Sequence, residues 1–170
     1  MEQQKPAIDI WIESIENYNL LQLCSKPSPH EWSVGQVYMH LIADTNFYIK
    51  QIKTCLSVID NTDQQASPFA QTLFRENRFP CEQIAGDPSH SGMPQPNSKE
   101  QLTVELLKIK RALTELNTLV GESLLKGKTQ HPGLGYFSGE EWLLFAEIHF
   151  QHHLRQKDRI DEFLTAKGFL

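Results

Sequence analysis

A chain of 170 residues is most simply one domain, long enough to fold without a disulfide or a structural metal. Apolar residues make up 39% and charged ones 22%, and a net charge of −5 with no basic run argues against a nucleic-acid partner. The three cysteines form no CxxC pair, the N-terminus has no basic-then-apolar leader, and no apolar run approaches the ~18 residues of a membrane span. The expected setting is the cytoplasm, with no membrane partner.

In chain order, the first helix is expected from about Pro6 to Leu23, with Ile8, Trp11, Ile12, Ile15 and Tyr18 inward. Lys26-Pro-Ser-Pro-His-Glu-Trp32 ends it, because Pro27 and Pro29 cannot continue a helix. Ser33-Val-Gly-Gln36 carries the capping-box pattern and opens a second helix that runs to about Val58. Residues 59–97 are rich in Pro, Gly, Ser, Asn and Asp and read as a long surface crossover, with one short helix from about Pro68 to Asn77. A second box, Ser98-Lys-Glu-Gln101, opens a third helix with the seam Leu102, Leu106, Ile109, Leu113, Leu116 and Val120. A third box, Ser138-Gly-Glu-Glu141, opens a fourth helix from Gly139 to about Ala166, with Gly168 as its stop. No strand is expected. The fold class is all-α: a four-helix bundle with a long crossover between helices 2 and 3.

The fourth helix holds His149, His152 and His153 within five positions. At 100° per residue, with Trp142 at 0°, His149 projects to about −20° and His153 to about +20°, while His152 lies near about −80°. Trp142, Ala146, Ile160 and Leu164 share the first stripe, flanked by Phe145 and Phe163; Gln151, Arg155, Asp158 and Glu162 form the opposite, wet face. Two imidazoles in mid-stripe are costly to bury unless their nitrogens find partners. A divalent metal removes the difficulty, because i,i+4 residues are neighbours on one face and neutral imidazole is a common ligand. The alternative is a pair of hydrogen-bonded core histidines.

His149-x3-His153 supplies two ligands and is not the HExxH of zincins, since Phe150 follows His149. A catalytic ion usually takes about three protein ligands. The remaining histidines are His30, His90 and His131 in expected loops and His40 on the second helix. Projection places His40 on a flank of that helix, near about −120° from Val34. Asp44, one turn on, is a ligand, an outer acceptor or a solvated acid.

Glu31-Trp-Ser-Val-Gly-Gln-Val-Tyr-Met-His-Leu-Ile-Ala-Asp44, together with residues 131–156, resembles the DinB/YfiT-like metalloenzymes. The residues that carry the resemblance are Trp32, Ser33, His40, Trp142, His149, His153 and Gln156. It implies a four-helix bundle in a mirror variant of up-and-down topology. It also implies one divalent ion held by His40, His149 and His153, zinc or nickel first and iron or manganese next, with His152 outside the ligand set. The activities implied are thiol S-transfer or hydrolysis, with a small-molecule substrate and a low-molecular-weight thiol as partners. His131, Tyr136 and Asp44 are weaker candidates for catalytic or substrate contacts, His131 at the mouth of the site; Cys55 and Cys81 are candidate thiols. The competing reading is a non-enzymatic bundle, a binding or stress protein whose metal site is structural or vestigial. A homodimer is plausible on either reading.

Overall fold

The computed structural model describes residues 5–80 and 92–169. Among the described residues six α-helices and one hairpin follow in order: α1 (Ala7–Ser14), α2 (Leu20–Cys24), α3 (Val34–Cys55), α4 (Pro68–Glu76), α5 (Lys99–Glu122), β1 (Lys128–His131), β2 (Gly135–Ser138) and α6 (Gly139–Ala166). α1 with α2, α3, α5 and α6 form the all-α four-helix bundle, and the crossover between α3 and α5 carries α4. Cys81 and His90 lie outside the described residues. Among the described residues no helix is long and apolar enough to cross a membrane.

All three serine caps form. Ser33 and Ser138 each accept from the backbone N–H three residues on and donate their own backbone N–H in return to the Gln36 and Glu141 side-chain oxygens. Ser98 accepts from Gln101 N–H, but the Gln101 side chain turns back one residue further, to Asn97 N–H. α6 ends at Ala166, with Gly168 in the left-handed region at φ +71°.

The first helix is not continuous. It closes in a 3-10 turn, Ile15–Asn17, and restarts at Leu20. The reason is a further capping box, Asn19-Leu-Leu-Gln22, in which both reciprocal bonds form. An Asn in place of Ser opens the same motif. Tyr18 still points inward and is buried, as the periodicity requires, whereas Ile12 is half-buried. α3 stops three residues short of Val58, at Cys55.

The expectation of no strand is wrong for Lys128–Ser138. β1 and β2 pair antiparallel in the register Lys128↔Ser138, Thr129↔Phe137, Gln130↔Tyr136 and His131↔Gly135. The turn between them, Pro132-Gly-Leu, uses Gly133 at φ +102°, and Gly135, the first residue of β2, has φ +84°, a conformation that residues with a Cβ rarely adopt. Four-residue strands are too short to announce themselves by alternation. The crossover is pinned to this hairpin: Tyr136 N–H donates to Gln65 O at 3.1 Å and Ser67 N–H to Leu134 O at 2.7 Å. A Cβ at Gly135 would lie 2.7 Å from Gln65 O, so the close approach itself requires glycine.

The core explains why a single stripe misreads α3. Val34, Gly35, Gln36, Val37 and Tyr38 are buried in succession, all the way round the helix. Its N-terminal turns are wrapped by the α2 end and by the segment before α5: a Cβ on Gly35 would meet Leu23 O at 2.6 Å and the Pro96 ring at 2.9 Å. On another side the Tyr38 hydroxyl donates to Trp11 O at 2.8 Å, and Trp11 Nε1 donates to Phe150 O at 3.0 Å. α3 is therefore the central helix, and over its N-terminal turns its flanks are as dry as its seam, whereas Ala43, Asn46, Phe47 and Lys50 further along are exposed.

Candidate metal centre

His40 on α3 and His149 and His153 on α6 converge. The Nε2 atoms lie 3.1 Å apart for His40–His149, 3.2 Å for His40–His153 and 3.1 Å for His149–His153. His40 is 4% exposed and His149 7%, with His153 half-buried. His40 is thus no flank residue, because the wrapping of α3 turns that flank toward α6. Among the described residues these three form the cluster with metal-ligand spacing.

Hydrogen bonding alone cannot satisfy this triangle. Each Nε2 is either a donor or an acceptor. With three members, at least one pair must meet lone pair to lone pair or N–H to N–H. A shared cation resolves that conflict for every edge at once. The spacing fits: nitrogens ~2.0–2.1 Å from a common ion and this far apart subtend about 100°, between the octahedral and tetrahedral angles. The donors are three neutral nitrogens, a set that suits zinc, nickel, iron or copper more than magnesium or calcium.

Two of the rings are oriented from outside. His153 Nδ1 lies 2.8 Å from Gln156 Oε1, so Nδ1 carries the proton and Nε2 is left bare. His149 Nδ1 lies 3.4 Å from the Tyr48 hydroxyl, which also lies 3.4 Å from Asp44 Oδ2. Asp44 Oδ2 then approaches the cluster, 3.6 Å from His40 Nε2 and 3.9 Å from His149 Nε2. Burial and the neighbouring Asp44 carboxylate push the Tyr48 phenol well above its ordinary pKa, so it stays a neutral hydroxyl. Tyr48 is the residue that sequence reasoning missed. Its signal was present in the spacing His40-x3-Asp44-x3-Tyr48, one contiguous ridge of α3.

Aromatic rings close the sides. Trp32 lies 5.2 Å from the His40 ring, and Phe145 lies parallel to His149 at 6.2 Å. Trp142, at the start of α6, stacks on Tyr48 at 5.4 Å and donates from Nε1 to Thr129 Oγ1 at 2.8 Å. His152 stands outside the cluster, 4.6 Å from the Phe79 ring, and burial with Arg155 and Arg159 nearby lowers its pKa.

The weaker candidates separate. Asp44 joins the cluster. His131 is no loop residue: it ends β1 and packs against Trp142 at 5.5 Å, Phe137 at 5.2 Å and Phe145 at 5.1 Å. The Phe145 ring stands between it and His149. Burial lowers its pKa to about 4, partly offset by a backbone hydrogen bond at Pro132. Tyr136 pairs with Gln130, on the face of the hairpin opposite to His131 and Phe137. Cys55 is buried, with its thiol against Thr129 and Phe137 O and its pKa raised by burial, an inert setting. A cavity of about 480 Å³ lies elsewhere, lined by Asn17, Tyr18, Gln22, Asp161 and Phe169, none of them a member of the histidine cluster.

A helical bundle with a three-histidine cluster of metal-ligand spacing across α3 and α6 defines the class: a bundle protein of the DinB type whose histidines could hold a metal ion. The family model of the DinB superfamily matches residues 8–156, so the chain belongs to that superfamily. No curated protein and no solved structure matches it.

Proposed function

We propose that the protein is a metal-dependent enzyme whose His40, His149 and His153 hold one divalent ion, zinc or nickel first, that activates a thiol or a water. The observation that carries this reading is the Nε2 triangle, 3.1–3.2 Å on each edge, which a cation satisfies and hydrogen bonds cannot. Bound there, the ion acts as a Lewis acid, lowering the pKa of a coordinated water or thiol toward neutrality. Three protein ligands leave a position open, whereas a structural zinc is normally closed by four. Asp44 Oδ2, beside two of the three nitrogens, is placed to take a proton from a group at that position. The aromatic walls formed by Trp32 and Phe145 favour a small substrate with an apolar body. The thiol S-transferase and the hydrolase remain two forms of one proposal, with a cellular low-molecular-weight thiol or water as the nucleophile.

The test is in two stages. Protein purified without a histidine tag is assayed for bound metal, then loaded with zinc or nickel and screened against electrophiles with a panel of small thiols and with water alone. Stoichiometric metal that is lost in His149→Ala, with thiol-dependent turnover, is the expected result. A wild-type protein that takes up no ion on reconstitution overturns the reading, and retained stoichiometric binding by His149→Ala overturns the ligand set.

A further inference from the structure

We infer that Tyr48 is a positioning residue that holds His149 in the tautomer with Nε2 bare and couples that ring to Asp44 across the α3–α6 interface. The ring of Tyr48 is fixed by packing. It is 4% exposed, stacked on Trp142 at 5.4 Å and 29°, and edge-on to Phe145 at 5.3 Å. That packing aims the hydroxyl at two groups, Asp44 Oδ2 and His149 Nδ1, each 3.4 Å away.

The direction of the chain follows from counting protons. A phenol has one proton to give, and an ionised carboxylate only accepts. The Tyr48 proton therefore goes to Asp44, which leaves the Tyr48 oxygen as an acceptor facing His149. His149 Nδ1 must then carry its proton, and its Nε2 presents a lone pair to His40 and His153. Both contacts are long, at 3.4 Å.

Gln156 sets His153 in the same tautomer, but from three residues away on the same helix. Tyr48 acts between helices. It joins the helix that carries His40 and Asp44 to the one that carries the other two histidines, so one hydroxyl sets a proton position across the interface. Use of the bare Nε2 by a cation rests on the function proposed above; the tautomer does not.

Tyr48→Phe removes the oxygen and keeps the ring. In apo-protein labelled with ¹⁵N-histidine, His149 of the wild type should give the Nδ1–H pattern, and Tyr48→Phe should shift it toward Nε2–H. Zinc affinity, measured by competition with a chromophoric chelator, should fall about 10- to 100-fold in Tyr48→Phe, the range for loss of an outer partner of a ligating histidine. Gln156→Ala should release His153 alone, and Gln156→Glu should restore it. Asp44→Asn serves as the second variant: a carboxamide can donate to Tyr48, so the direction of the chain relaxes while the Tyr48 ring stays in place. Unchanged His149 shifts in both Tyr48→Phe and Asp44→Asn overturn the inference. A wild type that binds no zinc refutes the metal reading alone, because the apo spectra still decide the role of Tyr48.

Discussion

Replacing His131 with Phe should stabilise the protein, and more so as the pH falls. The imidazole sits among Phe137, Trp142 and Phe145, and its Nδ1 is buried with no hydrogen-bond partner among the described residues. An unsatisfied buried polar atom costs about 1–3 kcal/mol, and a phenyl ring of similar size removes that cost at neutral pH, offset in part by loss of the backbone hydrogen bond at Pro132, worth about 0.5–1.5 kcal/mol. The pH term has a definite sign. Burial lowers the His131 pKa from 6.5 to about 4, so between those values the unfolded chain binds a proton that the folded protein does not. Stability is therefore whole above pH 6.5, is lost as the pH falls toward 4, and this contribution is gone below that. The full shift corresponds to ~3 kcal/mol, which solvent screening of a half-buried ring reduces to roughly 1–2 kcal/mol. Urea unfolding of apo wild type and His131→Phe at a series of pH values between 7.5 and 4.5 measures the difference directly, since titration of the carboxylates cancels between the two. The stability gap should widen by about 1–2 kcal/mol toward pH 4.5. A gap independent of pH, or a destabilised variant at pH 7.5, refutes the assignment of His131 as a neutral packed ring. Zinc affinity should be unchanged, as the Phe145 ring separates it from His149.

Three further outcomes follow from the packing and the site. Gly35→Ala, which would gain ~1 kcal/mol of helix propensity on an exposed helix, should here lose about 1–2 kcal/mol net, because the methyl meets Leu23 O and Pro96; a thermal midpoint raised by the change would contradict the close approach. Asp161 accepts from both Tyr18 and the 8%-exposed Lys157, so Asp161→Ala should cost about 2–4 kcal/mol by leaving a buried ammonium unpaired, read as a drop in the urea midpoint. Zinc at about 1,000 times its dissociation constant should add ~4 kcal/mol to the wild type, a rise in Tm of roughly 8–16 °C, and nothing comparable to His149→Ala.

What the sequence disclosed and what it hid divide along one physical line. Features set by local spacing were legible. The three serine caps form where Ser33, Ser98 and Ser138 stand, and α6 places His149 and His153 on the buried stripe with His152 off it. Features set by what wraps an element from outside were not. The periodicity of α3 has a single apolar seam, so His40 projects away from it; only the packing of α1, α2 and α5 around that helix makes its flank an interior surface facing α6. The same cause hid Tyr48. Its ring reads as core in a helical pattern, and it is core. Its oxygen gains a role only because α6 delivers His149 Nδ1 to it while α3 supplies Asp44 one turn before it. The hairpin was missed for a third reason: its four-residue strands are held by the crossover at residues 65–67, a contact between distant segments that no local pattern encodes. In each case the hidden residue chemistry was ordinary and its meaning came from a partner far along the chain. Spacing on one helix can therefore nominate two histidines, but the third histidine of the cluster and the hydroxyl that lies against one of the first two belong to the interface between helices.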